Sequence, residues 1–278
     1  MFADYHVHTY YSGDSIYPME KVVKDAISMK IDEICFTDHV DYEIKSDWTD
    51  SNPYKSKEGK PRLNVNYPKY FAEIAELREK YKNKIRIKQG LELGVQKHTI
   101  EKNTALVNSW DLDFVILSIH QIGNKEFWSQ DYQKGKTQKE YNDGYYQELY
   151  DVVTHFYNYS VIGHFDLIKR YDKNEKGLYP FAENKDIITK ILTTIIKNGK
   201  GIELNTSSFR YGLDDFMPSR DILKLYYELG GTIITIGSDS HKEEHLGAYI
   251  QECKEELKRI GFTKFCTFDR MKPSFHDL

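Results

Sequence analysis

Two histidines one residue apart open the chemistry of this chain: Asp4 to Ser15 reads DYHVHTYYSGDS, which sets His6 and His8 beside hydroxyls and carboxylates. Side chains at i and i+2 of a β-strand project from one face, so both imidazoles can grip one metal ion. An HxH pair alone is a weak signal, and the other histidines give it weight. Of the ten histidines, His6, His8, His39, His120, His164 and His241 fall at the ends of β-rich runs. His98, His155, His245 and His276 lie in helical or terminal segments and read as solvated or core residues. Glu92, Asp239 and Asp14 bring the candidate ligands to nine side chains. One ion uses roughly four to six ligands, so two or three ions fit this set better. Imidazole with a few carboxylates suits zinc, manganese or iron rather than calcium or magnesium alone.

The elements that must position these groups alternate. Short β-rich runs occur at FADYHVH, EICFTD, KIRIKQGLE, FVILSIH, SVIGHFD, GIELNTS and TIITIGSD. Amphipathic stretches separate them at 18–30, 68–82, 97–109, 137–157, 184–198, 219–229 and 243–260. Seven strand-helix units predict an α/β fold with a parallel sheet, either a distorted TIM-like barrel or an open doubly wound sheet. The barrel is favoured because every unit ends in a metal-capable or polar group, and only a closed ring brings all those ends to one mouth. Two polar loops, 41–67 and 123–136, follow ligand-bearing strand ends and are expected to overhang that mouth.

Composition narrows the function classes. The chain has 278 residues, 40% hydrophobic and 29% charged, with a formal net charge of −4. One domain over 1–278 is expected. There is no basic excess to hold a nucleic-acid backbone. No apolar run approaches the ~18 residues of a membrane span, and MFADYHVH lacks the regions of a signal peptide, so the expected location is the cytoplasm. Cys35, Cys253 and Cys266 form no CxxC pair, so neither a disulfide framework nor a thiolate zinc site is suggested.

In this order, HVHTYYS, FTDHV, GLELG, SIHQI, GHFDLI and GSDSH resemble the motif set of the PHP family, the polymerase and histidinol phosphatase metallophosphoesterases. GHFDLIKRY, IELNTSSFRYG and GSDSHKEEHLG are most similar to its monofunctional histidinol-phosphate phosphatases. The resemblance implies a (β/α)7 barrel with a trinuclear centre. It implies His6, His8, Glu92 and Asp239 on one ion, Glu92 bridging to a second held by His120 and His164, and His39 and His241 on a third. Many relatives carry a further histidine where this chain has Asp14, a carboxylate that otherwise reads as a turn residue in SGDS.

Three divalent ions, three carboxylates and one hydroxide leave about +2 in a formal count, which attracts a phosphate monoester dianion. The expected nucleophile is a metal-bridging hydroxide, since metal-bound water ionises near neutral pH. Neither GxSxG nor a Walker-type loop occurs. Arg170 and Arg210 follow polar strand ends and could clamp phosphate, a role that the resemblance also implies; the alternative is a surface salt bridge. Asp166 is expected to share His164's inward direction, orienting a ligand or protonating the leaving alkoxide. Asp38 reads as a partner behind the ligands, and Ser207 as a phosphate donor or a helix N-cap. In the second loop, Glu126 and Trp128 could face the mouth and meet cationic or flat parts of a substrate, or form an exposed acid and a packed indole.

The resemblance implies hydrolysis of L-histidinol phosphate within histidine biosynthesis, with a small-molecule phosphate monoester as substrate. The alternatives are another phosphoesterase of that family acting on nucleotides or short oligonucleotides, and a non-catalytic metal-binding barrel. An amidohydrolase also begins with HxH but usually brings a bridging lysine, whereas the bridge candidate here is Glu92.

Overall fold

The apolar runs become strands of one parallel sheet rolled almost shut. The computed structural model describes residues 1–48, 63–173 and 177–278. Residues 49–62 of the first expected loop lie outside the described residues. In chain order the elements are β1 (Ala3–Val7), α1 (Met19–Ser28), β2 (Glu33–Phe36), β3 (His39–Val40), α2 (Tyr67–Tyr81), β4 (Arg86–Gly94), α3 (Ile100–Asn108), β5 (Phe114–Ser118), β6 (Gln121–Ile122), β7 (Lys125–Glu126), α4 (Gln138–Val153), β8 (Val161–Ile162), α5 (Phe181–Lys197), β9 (Gly201–Asn205), α6 (Arg220–Glu228), β10 (Ile234–Gly237), α7 (Ile250–Ile260), β11 (Lys264–Asp269) and β12 (Lys272–Asp277).

The main sheet runs β1-β2-β4-β5-β8-β9-β10, with β3 paired to β4. Its pairings are parallel. The seam passes through the two opening histidines: His8 N donates to Ser240 O at 2.8 Å, and Ser240 N to His6 O at 3.1 Å. That is the barrel the alternation predicted, and closure places the end of β10 beside the end of β1. Helices form where apolar spacing shifts to three and four. In α1, Met19, Val22, Val23 and Ala26 are the buried face. The start of α4 is a reciprocal cap, with Glu140 Oε2 accepting from Thr137 N at 2.7 Å and Thr137 Oγ1 accepting from Glu140 N at 3.3 Å. No helix among the described residues is long and apolar enough to cross a membrane.

Three local departures have physical causes. The stretch expected to be helical over 243–260 is interrupted, because Gly247 and Tyr249 take φ of 65° and 59°, and α7 starts only at Ile250. The loop at 123–136 opens with the β6–β7 hairpin, turned by Gly123 and Asn124 at φ 58° and 59°. The β11–β12 hairpin at the C-terminus was not expected, since its turn residues, Arg270 and Met271, hold φ of 47° and 62° without the glycine or asparagine that marks such a turn. It is tied to the barrel by Tyr5, whose hydroxyl accepts from Phe268 N at 2.8 Å and lies 3.1 Å from Phe268 O.

Candidate metal centre

The nine candidate side chains come together at the C-terminal ends of the strands. His6 Nε2 lies 3.2 Å from Glu92 Oε2 and 3.7 Å from Asp239 Oδ1, and His8 Nε2 lies 3.5 Å from each. Ligands about 2.0–2.1 Å from one tetrahedral ion sit roughly 3.3–3.4 Å from one another, so these four atoms have the spacing of one coordination shell. The other oxygen of Glu92, Oε1, is 3.1 Å from His120 Nε2 and 2.7 Å from His164 Nε2. A third group joins His39 Nε2, His241 Nε2 and Asp14 Oδ2, separated by 3.4, 3.4 and 3.5 Å.

Hydrogen bonding behind the ring decides which nitrogens stay free. His6 Nδ1 meets Glu203 Oε1 at 2.6 Å, His120 Nδ1 meets Asp41 Oδ1 at 2.7 Å, and His241 Nδ1 meets the Asp239 carbonyl at 3.0 Å. These partners accept only, so each Nδ1 carries the proton and each Nε2 presents a lone pair. His8 Nδ1 lies 3.0 Å from Ser12 Oγ, which gives its own proton to Asp38 Oδ1 at 2.6 Å. Asp38 therefore acts on His8 through Ser12. The buried His6 Nε2, His8 Nε2 and Glu92 Oε2 have no hydrogen-bond partner. Acceptors converging without donors are a donor set for cations, and the residues fit divalent metal.

Electrostatics agree. Burial opposes charge on His6, but Glu203, Glu92 and Asp239 outweigh it and hold the imidazole well above its usual range. Burial likewise opposes the charge on His120, yet Glu92 and Asp41 push it up to about 9. Glu92 stays well below the carboxylate range against its burial, because His6, His39 and His120 surround it. Protons and divalent cations thus compete for the same atoms. Burial, with His241 and His39 adding to it, keeps His8 well below the imidazole range. His164 and Asp239 hold φ of 23° and 54°, left-handed backbone that costs of order 1–3 kcal/mol per residue.

A cavity of ≈ 660 Å³ opens over the cluster, lined by Asp14, His39, His120, His164, Asp239 and His241 together with Lys45, Glu126, Trp128, Arg170, Tyr171 and Tyr211. Glu126 and Trp128 both line this cavity, although only Lys125–Glu126 is extended and Trp128 sits in the turn that follows. Arg170 stacks on the Tyr211 ring at 4.2 Å and donates to Asp239 Oδ2 at 3.2 Å and to Ser207 Oγ.

Three of the expected site residues are turned to protein partners. Arg210 donates to the carbonyls of Ser238 and Asp239 at 2.7 and 2.8 Å, so its guanidinium braces the backbone of a candidate ligand. Asp166 is turned to Lys169 Nζ at 2.7 Å and Ser219 N at 3.0 Å. The alternation rule fails there because β8 ends at Ile162 and His164 bends the chain. Ser207 gives its proton to Asn205 Oδ1 at 2.5 Å while accepting from Arg170. The cap of the following turn is Asn205, whose Oδ1 accepts from Ser207 N at 2.9 Å.

Sequence reading missed Glu203, Asp41 and Lys45. Glu203 had a signal: a carboxylate in the apolar strand GIELN, two residues before Asn205 and on the same face. Asp41 follows His39 by the same interval and had one too. Lys45 joins them by an ion pair to Asp41 Oδ2 at 2.8 Å, which nothing in its surroundings in the chain marks.

The chain matches the PHP domain over residues 4–207. A curated histidinol-phosphatase of Lactococcus lactis subsp. lactis is 33% identical over 270 residues, covering 97% of this chain and 95% of the relative. One from Bacillus subtilis is 22% identical over 277 residues, covering 90% and 98%. Among solved structures, the L. lactis histidinol phosphate phosphatase complexed with zinc, L-histidinol and phosphate superposes with a TM-score of 0.85 at 33% identity, covering 98% of each chain.

Proposed function

The chain belongs to the PHP domain family, and from that premise we propose that it is a metal-dependent phosphomonoesterase that hydrolyses L-histidinol phosphate to L-histidinol and phosphate, with residues 1–278 acting as one catalytic unit. The observation that carries the reading is the convergence of partnerless acceptors on His6, His8 and Glu92 beneath a cavity that also holds Arg170. The L. lactis relative, whose structure contains zinc, L-histidinol and phosphate, supports the same chemistry here.

In this reading His6, His8, Glu92 and Asp239 hold one divalent ion, Glu92 with His120 and His164 a second, and Asp14, His39 and His241 a third, as zinc, manganese or iron. Bound there, such ions would supply Lewis acidity toward phosphoryl oxygens and would lower the pKa of water to about 7. Arg170, held between Tyr211 and Asp239, presents guanidinium hydrogens to the phosphate. Trp128 and Glu126 offer an aromatic face and an anion to the imidazole and ammonium of the substrate. Arg210 holds the Ser238–Asp239 backbone so that the Asp239 carboxylate stays aimed at His6 and His8.

The test is phosphate release by purified, metal-loaded protein from L-histidinol phosphate, nucleoside monophosphates and short oligonucleotides. Preference for histidinol phosphate is expected; preference for a nucleotide or oligonucleotide would overturn the substrate, and no release from any would overturn the activity.

A further inference from the structure

One buried carboxylate touches two of the three donor groups at once. Glu203 sits in β9 and is 1% exposed. Its Oε1 lies 2.6 Å from His6 Nδ1, while its Oε2 accepts from His164 N at 2.9 Å and from Asn205 Nδ2 at 3.1 Å. His6 is on β1 and His164 follows β8, so the side chain spans from one neighbour of β9 to the strand beyond the other. It passes β10 at Gly237, where an added Cβ would lie 2.4 Å from Glu203 Oε1 and 2.4 Å from His6 Cβ. The chain leaves that position bare and runs a charged group through the gap.

We infer that Glu203 is a positioning residue that couples the first two metal sites, fixing the His6 tautomer through Oε1 and the bent backbone of His164 through Oε2. This inference rests on the metal reading above and deepens it. All three groups facing the carboxylate donate: the His6 ring, the His164 amide and the Asn205 amide. An ionised carboxylate accepts on both oxygens and satisfies all three. The isosteric amide of a Glu203→Gln variant cannot. If that amide turns its NH2 toward His6, Nδ1 must become the acceptor, the proton moves to Nε2 and the metal-facing lone pair is lost. If it turns its NH2 toward His164 and Asn205, two donors face donors and the left-handed His164 loses its anchor. Either way a ligand of one of the two sites is misplaced. The group of Asp14, His39 and His241 has no contact with Glu203 among the described hydrogen bonds and is left intact.

The test uses zinc and the full chain. Glu203→Gln is compared with wild type by chelator-competition titration, with folding checked by circular dichroism. The expected result is a loss of about 10- to 100-fold in affinity for part of the bound zinc, with at least one ion held as in wild type. Wild-type affinity and stoichiometry in a folded variant would overturn the inference. Because the variant could fail to fold, nitrogen-resolved NMR of the histidine rings in zinc-loaded wild type provides a second reading. His6 is expected as the Nδ1–H form with a bound Nε2, and an Nε2–H form would overturn the role. Neither measurement contains a phosphate ester, so a protein that binds zinc in this way but releases no phosphate would fail the proposed activity alone.

Discussion

His39 and His241 point their Nε2 atoms at each other across 3.4 Å. His241 Nδ1 is committed to the Asp239 carbonyl, so the proton is on that side and the facing atom is a lone pair. Asp14 Oδ2 completes a triangle at 3.4 and 3.5 Å. Acceptors at such distances repel unless a cation or proton lies among them.

Asp14→Asn is therefore expected to lower the content of one ion and leave the rest, whereas Glu92→Gln, which alters both the His6/His8 and the His120/His164 groups, removes more metal. Phosphate release is expected to drop by at least about 100-fold in Glu92→Gln, beyond the 10- to 100-fold cost typical of losing an outer partner, and by less in Asp14→Asn. Elemental analysis alongside the assay decides it; equal, near-wild-type behaviour of both variants would reject the assignment.

Chelation is expected to abolish phosphate release, and re-addition of zinc, manganese or iron(II) to restore it. Full activity at one ion or fewer per chain would contradict a multinuclear centre.

The two arginines are expected to fail differently. Arg170→Ala removes a cavity-facing cation and is expected to cost roughly 1.5–3 kcal/mol per charged contact, about 10- to 100-fold in turnover, with metal content unchanged. Arg210→Ala releases the carbonyls of Ser238 and Asp239, so its activity is expected to fall together with its metal. Reversal of the two patterns would show the roles exchanged.

Glu126→Gln and Trp128→Ala are expected to reduce catalytic efficiency for L-histidinol phosphate by about 2- to 30-fold, the range of a cation–π contact. An aryl phosphate, which lacks the ammonium and imidazole, is expected to be nearly unaffected. Proportional losses on both substrates would assign the segment to supporting the fold.

Metal-stripped protein is expected to show a histidine-linked pH dependence of stability. His120 is pushed up to about 9 from 6.5. A raised folded-state value contributes stability that is complete below 6.5 and is lost as pH rises through about 9. Urea unfolding at about pH 6 and about pH 9.5, referenced to His120→Gln, is expected to show the wild type losing more over that interval, and saturating zinc is expected to remove the difference. Identical slopes for the two proteins would eliminate His120 as the titrating group.

Sequence by itself determined the donor inventory and the order of elements. β-rich runs ending in His8, Glu92 and His120, separated by amphipathic stretches, favour a ring over an open sheet, because a ring gathers its strand ends. It could fix side-chain direction only where a strand stays regular. At His164 the backbone enters the left-handed region, and beyond β9 Arg210 lies in the 3-10 turn Thr206–Tyr211, so alternation no longer says where Asp166 or Arg210 points.

Tertiary structure alone decided which groups face one another across the ring. Glu203 meets His6 at a separation of 197 residues and Asp41 meets His120 at 79, so the tautomers that free each Nε2 depend on partners brought near only by closure. The same holds for the hairpin at the C-terminus, whose turn at Arg270 and Met271 has no local preference for positive φ and whose Phe268 is fastened by Tyr5 from 263 residues away. Local propensity encodes what a segment becomes; a hydrogen bond between distant strands forms only after the barrel has determined the distance.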